Sequence, residues 1–308
     1  MSAPGRSGVL AIAKAAGVTS FDVVAAVRRQ LCVKRVGHGG TLDPDATGVL
    51  PVLIGEATKL MPYLVDQDKE YVATLRFGIT TDTHDLSGRV LSEAPVPPLT
   101  RAALENACRP FVGRIMQVPP MYSAVHHGGK RLYQLARAGV AVERRPRPVV
   151  IRSIAIEDVA GPRATLRVVS GKGTYVRVLA ADLGAILGCG AAVEHLERSR
   201  VGPFDLAAAV PWSEVAGTGP ALWSRVRPPE TALSTWPRVE LDRRAALAFK
   251  HGQTVEVEPE AAVGGGLVRV HEDTGAMIGV GEFTADGRKV KPVRILHADD
   301  SRTRGLPA

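Results

Sequence analysis

Val24, Val27 and Leu31 recur at helical spacing behind Thr19 and Ser20, which predicts a capped amphipathic helix with Arg28 and Arg29 on its polar side. Over 71–77 the pattern changes to strict alternation. Tyr71, Ala73, Leu75 and Phe77 fall on one face and Val72, Thr74 and Arg76 on the other, the period of a strand. A second strand is expected over 165–169. Helical spacing returns at Val176, Leu179, Leu183 and Ile186, with Thr174 as the expected N-cap and Gly188 as the stop. Strands and helices are interspersed, so the main domain is mixed α/β. Around 211–237 periodicity gives way to Pro, Gly, Ser and Trp, which places a connection there and a domain boundary near 230. Beyond it, a short helix at 243–249 and brief β runs at 254–257, 267–270, 277–280 and 290–295, punctuated by glycines, predict a small β-barrel.

Length agrees with two domains, because 308 residues exceed the ~250 at which single cores stop growing. Hydrophobic residues at 45% and charged residues at 23% are ordinary for a globular chain and leave no room for extensive disorder. Lys and Arg outnumber Asp and Glu by 39 to 31, a formal charge of +8. A polyanionic partner suits that balance, although a scattered basic surface is more often a solvated one. Cys32, Cys108 and Cys189 are far apart and without C-x-x-C spacing, which argues against a disulfide framework and a zinc site. The amino-terminal apolar run is short for a signal peptide, and no stretch approaches the ~20 apolar residues of a membrane span. The expectation is a soluble cytoplasmic protein with no membrane association.

The densest anomaly is 37–48, with four glycines, Asp43, Asp45 and Pro44, which must be a loop. Glycines allow tight turns and close approach of a ligand, while Pro44 stiffens the residue after Asp43. Such a loop can present a carboxylate into a cleft, or it can be a structural turn in which Asp43 caps backbone N–H groups.

The string GHGGTLDPDATGVLPVLIGEATK, from Gly37, resembles the signature of the TruB-type pseudouridine synthases. GVTSFDVV, Lys69-Glu70-Tyr71-Val72-Ala73, Thr81-Asp82-Thr83-His84-Asp85-Leu86-Ser87-Gly88, PPMYSAVHHGGKRLYQLARAG and GKGTYVRVLAADLGAILGCGA followed by Leu196 fit the same family in order. The resemblance covers roughly residues 8–210, and the tail looks like a small PUA-type RNA-binding domain. It implies an α+β fold, mainly antiparallel sheet with flanking helices, over 1–229 with an RNA-binding insertion around 100–150, and a PUA-like β-barrel over 230–308.

The implied reaction isomerises uridine-55 in the T loop of tRNA: the C1′–N1 bond breaks, the base turns, and it rejoins through C5. No metal, redox step or other cofactor is implied. Asp43 is the expected catalytic residue, as a nucleophile or a general base. Arg177 is expected to pair with it and keep it ionised. Tyr71 is expected to stack on the flipped base and to move a proton, with Tyr175 and Leu196 lining the pocket. His38 would fill the space vacated by the extruded nucleotide. Asp85 would accept hydrogen bonds in the pocket or form an Asx turn. Phosphate contacts are expected from Lys14, Lys59, Lys130, Arg137 and Arg200, together with Arg28, Lys34, Arg35, Arg131 and Arg198. The implied partner is the tRNA T stem-loop, with no obligatory protein partner, and the chain is expected to be a monomer.

Several positions depart from the family pattern. Ala13 and Ala15 flank Lys14 where Asp and Pro are common, Asp45 replaces an apolar residue, His126 stands for a lysine, and Glu197 for an arginine. The last three make the expected RNA face less positive. If Asp45 points inward, it disfavours ionisation of Asp43. The competing readings are a non-catalytic tRNA-binding or folding protein, a guide-RNA-dependent synthase, and an unrelated basic α/β enzyme. Asp43, Tyr71 and Arg177 occurring together favour an enzyme, since a pure binder has no need of an acid in a basic cleft.

Overall fold

The computed structural model describes residues 6–258 and 266–297. Ten strands form the main sheet. Its central path runs Val210–Pro211, Gly8–Lys14, Thr47–Ile54, Ala191–Val201, Lys69–Phe77, Arg163–Ser170, Arg147–Ala160 and Gly113–Gln117. Phe204–Asp205 and Val36–His38 pair off that path. Neighbours are antiparallel except where Gly8–Lys14 meets Val210–Pro211 and where Thr47–Ile54 meets Ala191–Val201. Every residue from Gly48 to Ile54 is buried, which explains why this strand reads as an unbroken apolar run rather than an alternating one.

Alternation along Gly8–Lys14 divides two cores. Leu10 and Ile12 pack with Leu50, Val52 and Ile54 against Val23, Ala26 and Val27 of the helix Ser20–Gln30. That helix starts where its sequence predicts, in a capping box: the Thr19 hydroxyl accepts from Asp22 N, and the Asp22 carboxylate accepts from Thr19 N. Further along the sheet, the helix Val176–Ile186 buries Val176, Leu179, Ala180 and Leu183 against Ala73, Leu75, Phe77, Ala191 and Val193. Its N-cap is Tyr175 rather than Thr174. The Thr174 hydroxyl turns back to Gly171 O, and the acceptor for Tyr175 N is the Gln117 side chain, 3.0 Å away.

The stretch 211–237 is not a free connection. Trp212, Leu222 and Trp223 pack into one core of the main sheet, and Ala232, Leu233 and Trp236 into the other. The aromatic and apolar residues that break its periodicity are the ones that fasten it down. Beyond it, Arg238–Leu241, Leu267–Glu272, Met277–Phe283, Lys289–Ile295 and Val255–Glu256 form, in that order, a curled five-stranded half-barrel. Helix Arg243–Lys250 covers it through Ala246 and Phe249. Val280 and Leu296 of this unit join Val9, Leu53, Leu60 and Leu64 in a shared core. Among the described residues no helix is long and apolar enough to cross a membrane.

Gly48 is a fixed point of this architecture. It has φ +106°, and a Cβ there would lie 2.2 Å from Arg198 O, because the two residues pair in the parallel ladder. Gly48→Ala therefore adds backbone strain to a clash between two buried strands, and a loss of about 2–4 kcal/mol is expected. Gly17 also has positive φ but open space around its would-be Cβ, so Gly17→Ala should lose less. Urea denaturation at unchanged slope checks both.

Candidate active site

The loop around Asp43 is held through its backbone rather than through the Asp43 side chain. The Ser20 hydroxyl accepts from Leu42 N at 2.9 Å and donates to Leu42 O at 3.0 Å. Lys14 Nζ donates to Pro44 O at 2.9 Å, and to Ala15 O and Val18 O. Arg198 donates to Val49 O at 2.9 Å, Gly40 O at 3.0 Å and Thr41 O at 3.3 Å. Among the described residues, no backbone N–H donates to the Asp43 carboxylate; the bond that closes its turn runs from Ala46 N to Asp43 O. The reading of Asp43 as a backbone cap has no support in this arrangement.

Arg177 meets Asp43 instead. It projects from the first turn of the helix Val176–Ile186 and is buried. Its Nε lies 2.9 Å from Asp43 Oδ2 and its Nη1 lies 3.5 Å from Asp85 Oδ2. Nη1 and Nη2 also donate to Thr83 O and Tyr122 O, each at 2.8 Å. One rigid guanidinium thus ties together three loops that are remote in sequence. Asp85 is itself turned into its own loop, where Oδ1 accepts from Thr83 Oγ1, Ser87 N and Ser87 Oγ. That is an Asx-type arrangement. The Asp43 side chain is 41% exposed, but that surface faces the cleft rather than open water. Removal from water raises its pKa above the usual aspartate value, Arg177 and Lys14 oppose the rise, and the Asp85 carboxylate adds to it.

The cleft has a volume of about 1260 Å³, more than the ~300–1,000 Å³ of most small-molecule sites. Asp43, Arg177, His38, Leu196, Tyr133 and Arg137 are among its lining. His38 Nδ1 accepts from Gly40 N at 3.3 Å. Burial lowers the pKa of its imidazole, and the positive charges of Arg198 and Arg131 lower it further. A second cavity, of about 420 Å³ around Gly78 and Pro162, lies away from this constellation.

The family model described as "TruB family pseudouridylate synthase (N terminal domain)" matches residues 28–176. Two carboxy-terminal models follow, "tRNA pseudouridylate synthase B C-terminal domain" over 177–234 and "Pseudouridine synthase II TruB, C-terminal" over 237–296. A protein named tRNA pseudouridine synthase B from Stutzerimonas stutzeri (strain A1501) is 43% identical over 298 residues, covering 95% of this chain and 96% of its own length. The chain belongs to the TruB family. A second relative of the same name, from Symbiobacterium thermophilum, is 51% identical over 80% of this chain and 82% of its own. Among solved structures, TruB architecture is matched by a chain from "Crystal Structure of a Cbf5-Nop10-Gar1 Complex". The TM-score is 0.72 at 26% identity, over 95% of this chain and 86% of that one.

The other residues singled out by the TruB resemblance fall into separate groups. Tyr71 and Tyr175 lie outside the cleft lining and are half-buried. Tyr71 stands beside the Arg198 guanidinium, and Tyr175 sits at the helix N-cap. Lys130 and His126 are exposed on the hairpin His126–His127 with Lys130–Arg131. Arg200 is exposed, 3.6 Å from Glu70 Oε2.

Three expectations need correction. Lys14 is 1% exposed, and its ammonium is spent on three carbonyls, so it cannot reach a phosphate; burial lowers its pKa to about 8 despite Asp45 and Asp43. Arg198, also 1% exposed, is likewise a loop anchor rather than an RNA contact. Lys59 pairs with Glu56 and donates to Ile295 O, while Glu56 also accepts from Arg35 and His297 N. Lys59 therefore fastens the half-barrel to the main domain. Asp45 is exposed on the cleft beside Asp43, and its charge acts to raise the pKa of Lys14. Ser20 and Gln117 are supporting residues that sequence reasoning missed.

Proposed function

We propose that this chain is a tRNA pseudouridine synthase that isomerises uridine-55 of the T loop, with Asp43 as its catalytic residue. The observation that carries the reading is a carboxylate 2.9 Å from a buried arginine, open on its other side to a cleft large enough for an extruded nucleotide. A T-loop uridine is stacked, and its reactive bonds are hidden. It must flip into the cleft, at a cost of a few kcal/mol repaid by pocket contacts. His38 fills the vacated stack and Leu196, in the cleft lining, packs against the base. Tyr71 and Tyr175 stand outside that lining and reach the base only by a side-chain movement.

Asp43, held by Arg177, then acts at the sugar or the base as the C1′–N1 bond breaks. The base turns in place, C5 bonds to C1′, and the proton leaving C5 is balanced by one gained at N1. Arg177 neutralises the carboxylate in its resting form and orients it throughout. Arg131, Arg137, Lys130 and Arg200 contact phosphates, and the segment around 100–150 and the unit from 230 onward extend the RNA face. The chain acts as a monomer in the cytoplasm.

Purified protein incubated with unmodified tRNA transcript, without guide RNA, metal or cofactor, should form pseudouridine at position 55, mapped chemically because mass is unchanged. A transcript with cytidine at that position should remain unmodified. Tight binding without turnover would sink the reading in favour of a binding protein, and turnover only with a guide RNA would replace it with a guided synthase.

A further inference from the structure

Phe21 is 68% exposed, the most exposed of the large apolar side chains among the described residues. A phenylalanine left in water forgoes the stabilisation that burial would give it, and among the described residues Phe21 pairs with no other ring. Its position is nonetheless fixed. Ser20, the residue before it, is bonded both ways to the backbone of Leu42, next to Asp43. Asp22, the residue after it, closes the capping box with Thr19. The backbone that carries the ring is therefore set relative to the Asp43 loop, and the ring lines the same cleft.

We infer that Phe21 is a stacking platform for a nucleobase of the RNA next to the flipped uridine, and so a further substrate-binding residue; this rests on the proposed function. Extruding one nucleotide leaves its neighbours without a stacking partner on one side. His38 takes the gap itself, and a flat apolar ring held on the rim of the cleft covers the neighbouring base that His38 leaves open, without reading that base's hydrogen-bonding edge. An aliphatic side chain of similar size would fill space but offer no face.

The test uses full-length protein and a T stem-loop hairpin, with Phe21→Ala, Phe21→Leu and Phe21→Trp. Phe21→Ala should raise KM by roughly 5- to 150-fold, the range for losing one base–aromatic stack, with kcat at saturation nearly unchanged. Phe21→Trp should stay near wild type, and Phe21→Leu should behave like Phe21→Ala. Hairpins carrying 2-aminopurine at one flanking loop position at a time should show quenching on binding that Phe21→Ala abolishes at one position. An unchanged KM in Phe21→Ala, or full rescue by leucine, overturns the inference. If the wild type binds but does not turn over, the proposed reaction fails, and the fluorescence comparison still decides the role of Phe21.

Discussion

Replacing Asp43 with asparagine should lower kcat by at least ~10³-fold, the middle of the range for removing a positioned acid–base group, while binding of T-loop RNA stays within a few-fold. Asparagine preserves the shape and can still approach Arg177 Nε, now 2.9 Å from the carboxylate; only the charge and basicity are gone. The pH dependence has a definite sign. Burial raises the Asp43 pKa, against the pull of Arg177, and protonation removes the active form. Wild-type kcat/KM should therefore be level near neutral pH and fall on acidification at a pH higher than an ordinary aspartate would give. Stopped-time pseudouridine mapping across pH checks this, and an Asp43→Asn variant retaining near-wild-type kcat would assign the chemistry elsewhere.

Arg198→Met should lose about 3 kcal/mol of stability and roughly 10²-fold in kcat. The guanidinium is fully buried and donates to three carbonyls of the Asp43 loop and its following strand. Methionine fills much of the volume but leaves those acceptors without donors, each worth ~1–3 kcal/mol. Release of the buried charge offsets part of the total. A loop that drifts by about 1 Å misplaces the carboxylate enough to cost ~10²-fold. Arg198→Lys should rescue only partly, because one ammonium cannot reproduce the planar fork. Thermal unfolding and a kcat-against-KM comparison distinguish this from the phosphate contact that the sequence suggested. A variant with normal stability and kcat but a raised KM would restore that earlier role.

Lys14 was legible in principle. Strict alternation from Leu10 through Ile12 puts it on the buried face of its strand, and that face is where it lies. Its charge made it look like an RNA contact, but carbonyls of three other residues accept its protons. Arg198 was not legible by that route. Register shifts between Val193 and His195 and between Arg198 and Arg200 break the period of its strand, so alternation no longer says which face a residue takes.

By itself the sequence determined part of the elements and the place of the loop. Hydrophobic periodicity is a local property, and it marked the helices Ser20–Gln30, Val176–Ile186 and Arg243–Lys250 and the strand Lys69–Phe77, but not the strands Gly8–Lys14, Thr47–Ile54, Arg147–Ala160 and Ala191–Val201. The glycine-rich stretch from Gly37 marked a loop, but the irregular part is only 39–46, because Gly37–His38 and Thr47–Gly48 at its ends belong to strands of the sheet. The long ordered match around Asp43 fixed the family. Which charges serve RNA and which serve the fold was decided only by tertiary structure. Arg198 bonds to Gly40 across 158 positions of chain, and Lys59 to Ile295 across 236. A charged side chain is buried when distant carbonyls or carboxylates arrive to satisfy it, and no local pattern records their arrival.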